Sequence, residues 1–205
     1  RDISIKIRSQ LDVKRKNGQF IGSFAGYGYQ KDPENKNHLI IDEYAAEIVR
    51  FIFNLKMGGY SSQRIATKLN EMGVLPPLEY KRSRGMKYNS GFRSGANPKW
   101  AVTTVNRILT NELYTGTMVQ GKNRKINYKV KECRPVAEEN WIRVEKTHEA
   151  IIAEEIFQYV QSLLELDTRT APDEDSVYLF SGFLRCGDCL PHSPISQPWA
   201  TFPLS

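Results

Sequence analysis

The sequence predicts an α-rich α+β fold: a helix-turn-helix-like unit with small β-hairpins, followed by a partial second domain. Three observations predict it. Apolar residues recur at helical spacing in five separate stretches. Short β-prone runs bounded by Gly and Asn lie between them. The charge then changes sign in the last third of the chain, where a second composition begins.

The elements follow in order. Residues 2–16 place Ile3, Ile7 and Leu11 at i, i+4 and i+8, and Asn17-Gly18 ends that helix. The stretch "GQFIGSFAGYGYQKD" is rich in glycine and aromatics, so it is extended and flexible until something holds it. Tyr27-Gly28-Tyr29 begins a strand, and 37–42 is its hairpin partner. Asp42 is positioned as an N-cap for a central, buried helix that ends at Gly58-Gly59. In 60–73, Ser61 or Ser62 caps a helix that turns Ile65, Leu69 and Met72 inward and stops at Gly73. Residues 74–99 show no period and read as a long basic loop.

After Pro98, a short helix over 101–110 faces inward with Val102, Val105 and Leu109. Thr103, Arg107 and Thr110 lie opposite, with Thr104 and Asn106 on the flanks. Residues 114–121 and 126–131 read as a basic hairpin. A turn containing His148, in a capping or core role, then precedes a helix with Ile156, Val160, Leu163 and Leu164 inside. A solvated linker and a strand lead to Cys186 and Cys189. The proline-bearing residues 190–205 are expected to be disordered. The division is therefore 1–26 as helix tail and linker arm, 27–131 as the main domain, 132–189 as the start of a second, and 190–205 as tail.

Composition excludes several classes. No apolar run approaches the roughly 18 residues of a membrane span. No secretory leader opens the chain, and three cysteines make no disulfide framework, so a reducing, cytoplasmic setting is expected. Residues 56–131 hold fifteen Lys/Arg against three Asp/Glu, whereas 132–205 hold five against thirteen. Cations concentrated in one block point to a polyanion, with a solvated lysine-rich face as the alternative.

The two short helices at 61–72 and 101–110, separated by a basic insert, follow helix-turn-helix logic: the second enters the major groove of duplex DNA. Thr103, Thr104, Asn106 and Arg107 are the candidate base readers, since Arg suits guanine and Asn suits adenine. Arg64, Lys68, Lys81, Arg82, Arg84, Lys87, Arg93, Lys122, Arg124 and Lys125 are candidate backbone contacts. Lys14, Arg15, Lys16 and Gln19 open an arm suited to a minor groove, or else a plain flexible linker. Two amphipathic helices can equally be only a packed pair.

Cys186-x-x-Cys189 supplies two of the four ligands zinc needs. His192 and Cys133 could complete the set, and free thiols are the other reading. No cofactor is otherwise required. Nothing in the sequence supports catalysis: there is no carboxylate cluster, nucleophile elbow or phosphate-cradling glycine loop.

In order and spacing, "GQFIGSFAGYGY", "LIIDEYAAEIVRFIFNL", "GGYSSQRIATKLNEMGV", Trp100 and "VNRILTNELYTG" resemble the recombinase domain of large serine recombinases. These are the integrases and transposases of phages and mobile elements. "HEAIIAEEIFQYVQSLL" and "YLFSGFLRCGDC" resemble the start of the zinc-ribbon domain that follows in that family. The resemblance implies a bacterial or phage-encoded protein that recognises attachment sites during DNA integration. It places the outward face of 101–110 in a major groove and the arm 17–26 along a minor groove. It also implies that a resolvase-like catalytic domain, carrying the serine nucleophile and the self-association surface, is absent here, and that 1–16 is the tail of the helix leaving it. Such a chain binds DNA without cutting it. Gly26 departs from the family's usual proline, and no second Cys pair follows Cys189. A winged-helix regulator, or an RNA-binding module stacking bases on Phe20, Phe24, Tyr27 and Tyr29, are the rival readings.

Overall fold

Helix α2, Glu43–Met57, is the axis of the computed structural model, which describes residues 2–87, 98–125 and 133–165. The chain divides into two compact units, 1–160 and 161–205, and the hydrophobic core lies in the first. Ahead of α2 come α1, Asp2–Lys16, and the antiparallel pair β1, Tyr29–Lys31, and β2, Leu39–Ile41, in register Tyr29↔Ile41. After it come α3, Ser62–Glu71, α4, Pro77–Ser83, and α5, Val102–Leu109. Then follow the 3-10 turn Glu112–Thr115, β3, Met118–Gln120, and β4, Asn123–Lys125. β5, Cys133–Pro135, the 3-10 turn Glu138–Asn140, β6, Ile142–Val144, and α6, Glu154–Glu165, complete the order.

The core forms because α2 buries a broad face, Ala45, Ala46, Val49, Ile52, Phe53 and Leu55. Against it lie Ile65 and Leu69 of α3, Val105 and Leu109 of α5, and Phe157 and Val160 of α6. Phe53 meets Tyr114 and Phe157 at 6.3 and 6.2 Å between ring centroids. Tyr114 is wholly enclosed, and its hydroxyl donates to the Tyr27 carbonyl at 2.9 Å, which satisfies the one polar atom of a large buried ring.

His148 has the core role expected of it. Nε2 lies 2.8 Å from the Leu113 carbonyl, an acceptor only, so Nε2 carries the proton. The Thr147 hydroxyl then donates to Nδ1 at 2.7 Å. Burial pushes the imidazole pKa below its ordinary value, keeping it neutral.

Several expectations are corrected. Residues 74–99 are not one loop: α4 rises from Pro76-Pro77, with Pro77 in the first turn and Tyr80 buried. Asp42 stands at the N-cap position of α2, but its side chain makes no capping bond; it turns to Tyr80 and Arg84 instead. Met72 is 56% exposed, because α3 ends one residue before it and Ala66 takes the inward place. In α6 Phe157, not Ile156, shares the buried face with Val160.

Of the expected hairpin, 114–121 with 126–131, residues 126–131 lie outside the described residues; the strands described around it pair with later segments. β3 pairs with β6 (Gln120↔Ile142) and β4 with β5 (Asn123↔Pro135), both antiparallel. The Val136 amide donates to the Lys122 carbonyl at 2.9 Å and joins the two ladders. Between the two ladders, one side carries Gly121, at φ +82°, and the other the turn Glu138–Asn140. Strand pairing therefore runs across the change of charge at residue 132.

Candidate nucleic-acid interface

α5 has little intrinsic claim to be a helix. It is eight residues long, contains β-branched Val and Thr, and its N-cap is Ala101 with no side-chain cap. Packing forms it. Val105, Ile108 and Leu109 are buried, and Trp100, 3% exposed, anchors its start. The Trp100 amide donates to Asn70 Oδ1 at 2.8 Å, and Asn70 Nδ2 donates back to the Trp100 carbonyl at 3.1 Å. The Trp100 indole N–H donates to the Val74 carbonyl at 2.9 Å. The end of α3 thus grips the entry to α5.

That grip fixes the opposite face outward. Thr103, Asn106, Arg107 and Thr110 are all exposed, at i, i+3, i+4 and i+7, forming one stripe; Thr104 is half-buried at its edge. Asn106, expected on a flank, belongs to the stripe itself. On α3 the Ser61 hydroxyl accepts from the Arg64 amide, and Arg64 and Lys68 point away from the core. Both cations lie on the Tyr60 ring, at 4.8 and 5.4 Å from its centroid, and Lys68 also approaches Phe51 at 5.9 Å. Cation–π contact restrains long side chains without neutralising them. Tyr60 was not singled out from the sequence; its place just before the Ser61 cap is the signal that could have found it.

The cations of α4 behave differently. Lys81 is half-buried and donates to the Ala25 carbonyl at 2.7 Å, and burial lowers its pKa. Arg82 pairs with Glu79 at 2.8 Å. Arg84 reaches the Asp42 carboxylate at 3.2 Å; Asp42 is 7% exposed and also accepts the Tyr80 hydroxyl at 2.9 Å on each oxygen. Burial and the Asp42 carboxylate push the Tyr80 phenol up to about 12. Lys87 is exposed at the edge of the described region, and Arg93 lies outside the described residues.

Around the paired strands, Lys122 sits over Trp141 at 4.5 Å, and Arg143 approaches the same ring at 5.3 Å while paired with Glu112 and Glu138. The backbones of Arg124 and Lys125 belong to β4. Lys14 and Lys16 are exposed in the last turn of α1, Arg15 pairs with Asp12, and Gln19 is half-buried. Cys186, Cys189 and His192 lie outside the described residues, and Cys133 is exposed on β5.

Two of the four aromatics offered for base stacking are otherwise engaged. Tyr27 and Tyr29 are 6% and 5% exposed. Tyr27 meets Tyr80 and Trp100 edge-on at 5.5 and 5.7 Å, and Tyr29 stacks on Tyr114 at 6.2 Å. Both belong to the core and cannot stack bases, whereas Phe20 is half-buried with Lys31 over its ring and Phe24 is exposed.

A family model described as Recombinase matches residues 43–167. A putative DNA recombinase of Bacillus subtilis (strain 168) is 31% identical over 194 residues, covering 86% of this chain and 34% of that protein. The uncharacterized protein YefB of the same organism is 36% identical over 110 residues, covering 50% of this chain and 36% of that protein. The chain thus spans little more than a third of the length of these curated relatives. Among solved structures, an LSR–DNA complex aligns with TM-score 0.49 at 19% identity, over 90% of this chain and 45% of that one. A structure concerned with the sequence requirements of the Listeria innocua prophage attP site aligns with TM-score 0.41 at 23% identity, over 76% and 50%.

Proposed function

The chain belongs to the recombinase family, and on that premise we propose that it reads duplex DNA sequence-specifically, as the attachment-site-recognising part of a site-specific serine recombinase. The observation that carries the reading is the α5 stripe. Thr103, Asn106 and Arg107 are presented to solvent on a helix whose other face is locked by Val105, Ile108, Leu109 and the Trp100–Asn70 clamp. A helix fits the major groove, where Arg and Asn form paired hydrogen bonds to guanine and adenine. Arg64 and Lys68, restrained on Tyr60, suit phosphates beside it. Lys14, Lys16 and the arm that follows suit an adjoining minor groove.

Among the described residues no helix is long and apolar enough to cross a membrane. A cytoplasmic setting, where duplex DNA is at hand, accords with the reading. Self-association and strand exchange are proposed for the longer protein, and Cys186 and Cys189 stay candidates for zinc.

Selection of bound sequences from a random duplex pool tests the proposal. The expected result is an elongated, asymmetric consensus, with a major-groove block joined to an A·T-sensitive minor-groove block. Binding without any consensus would overturn sequence-specific reading.

A further inference from the structure

We infer that Gln120 and Lys81 are positioning residues that hold the arm, residues 19–25, on the body of the domain and so set which base pairs it meets. The inference rests on the arm's proposed place in the minor groove. Gln120 ends β3, and its carboxamide meets two backbone groups of the arm: Nε2 donates to the Gln19 carbonyl at 2.8 Å, and Oε1 accepts from the Ile21 amide at 3.4 Å. A neighbouring strand would bond the arm in this way; here one side chain does so. Lys81 holds the other end through the Ala25 carbonyl. Between the two groups that Gln120 holds, the Phe20 amide donates to the Asn37 carbonyl at 2.7 Å.

Each bond ends on arm backbone, and Ser23 and Phe24 remain exposed while Ala25 is buried. The entry is equally constrained. Gly18 sits at φ +70°, and a Cβ there would lie 2.4 Å from Thr147 Cγ2, so only glycine lets the chain pass. Toward the Lys81 end the arm borders a cleft of about 330 Å³, lined by Phe24, Tyr27, Tyr80 and Met86 among others. At that end Ala25 is buried in the core beside the Lys81 bond. Lys81, expected from sequence to meet phosphate, acts here on the protein's own backbone.

The test uses the chain with Gln120→Glu, which keeps the shape and the acceptor but sets a carboxylate against the Gln19 carbonyl. Lys81→Met removes the donor at the other end, and Lys81→Arg retains one. In the free protein, amide hydrogen exchange at residues 20–22 should quicken roughly three- to tenfold in Gln120→Glu, the loss of about one hydrogen bond. On the selected duplex, single-base changes beneath the arm should lose their effect in Gln120→Glu and Lys81→Met, while changes beneath α5 keep theirs. Lys81→Arg should restore arm discrimination. If wild-type chain discriminates beneath the arm and the variants do so equally, the inference falls alone. If the wild type shows no preference beneath the arm, the minor-groove reading falls and takes the inference with it.

Discussion

α4 and α5 are both short, both carry polar residues outward, and both are held against α2, yet they are held differently: charged side chains take part in holding α4. α5 is fastened by its apolar face and by backbone bonds to Asn70, which leaves its polar stripe outward. α4 is fastened by buried Tyr80, which bonds Asp42 and stacks on Tyr44, and by charged side chains, Lys81 to Ala25 and Arg84 to Asp42, while Arg82 pairs with Glu79 inside the helix. A count of cations treats the two alike. The structure teaches that a basic block divides into charges left to solvent and charges that fasten the domain, and that the nature of the attachment tells them apart.

The largest effect should come from breaking the α5 attachment. Trp100→Ala empties a buried aromatic site and orphans the Val74 carbonyl, and is expected to cost about 3–5 kcal/mol of stability. Denaturant unfolding would read it as a lowered midpoint. An unchanged midpoint would mean that α5 does not depend on this anchor. Breaking the α4 attachment should cost less. Asp42→Ala leaves the buried Tyr80 hydroxyl without its acceptor, at a cost of about 1–3 kcal/mol. Arg84, half-exposed, can turn to water, so Arg84→Ala should be milder than Asp42→Ala in the same unfolding assay.

DNA binding sharpens the contrast. Arg107→Ala should cost about 1–3 kcal/mol on the preferred duplex and relax the preference at one position. A uniform loss on all duplexes would move Arg107 from base reading to phosphate contact. Arg64→Ala should weaken binding across sequences and lower the salt slope by about one. Arg84→Ala should leave that slope nearly unchanged, because its guanidinium is directed to Asp42. Equal slopes for the Arg64 and Arg84 variants would dissolve the distinction between presented and fastening charge.

These differences also mark what could be read in the sequence. α1, α2, α3, α5 and the first hairpin follow from spacing within one element and from the Gly and Asn residues that end it, which are local signals. The outward stripe of α5 was legible for the same reason: the buried face of a short helix fixes the other face. α4 was missed because seven residues with one buried side chain, Tyr80, make no period. Pro77 at the first turn was the available signal.

The strand partner of β3 could not be read because β6 lies more than twenty residues further on, beyond β4, β5 and a 3-10 turn, a separation that sequence alternation does not record. Asp42 left its capping role for a tyrosine 38 residues away, a choice only the tertiary structure can make. The fate of Lys81 and Arg84 was hidden likewise, since their partners, Ala25 and Asp42, lie far off in the chain.

The smallest expected effect concerns what lies just beyond α5. His148 bonds the carbonyl of Leu113, in the turn that follows that helix. Its pKa is lowered in the folded chain, chiefly by burial. The folded state therefore favours the neutral ring. Its contribution to stability is complete above the ordinary histidine pKa of about 6.5 and is lost as pH falls from there through the depressed folded value. Unfolding midpoints should accordingly decline on mild acidification, over a range where most carboxylates are still ionised. His148→Gln can keep a donor toward Leu113 without titrating, so it should flatten that decline even if it lowers stability at neutral pH. A decline of the same size in His148→Gln would assign the acid sensitivity elsewhere. A flattened one would show that the turn after α5, like its start at Trp100, is held by a buried bond.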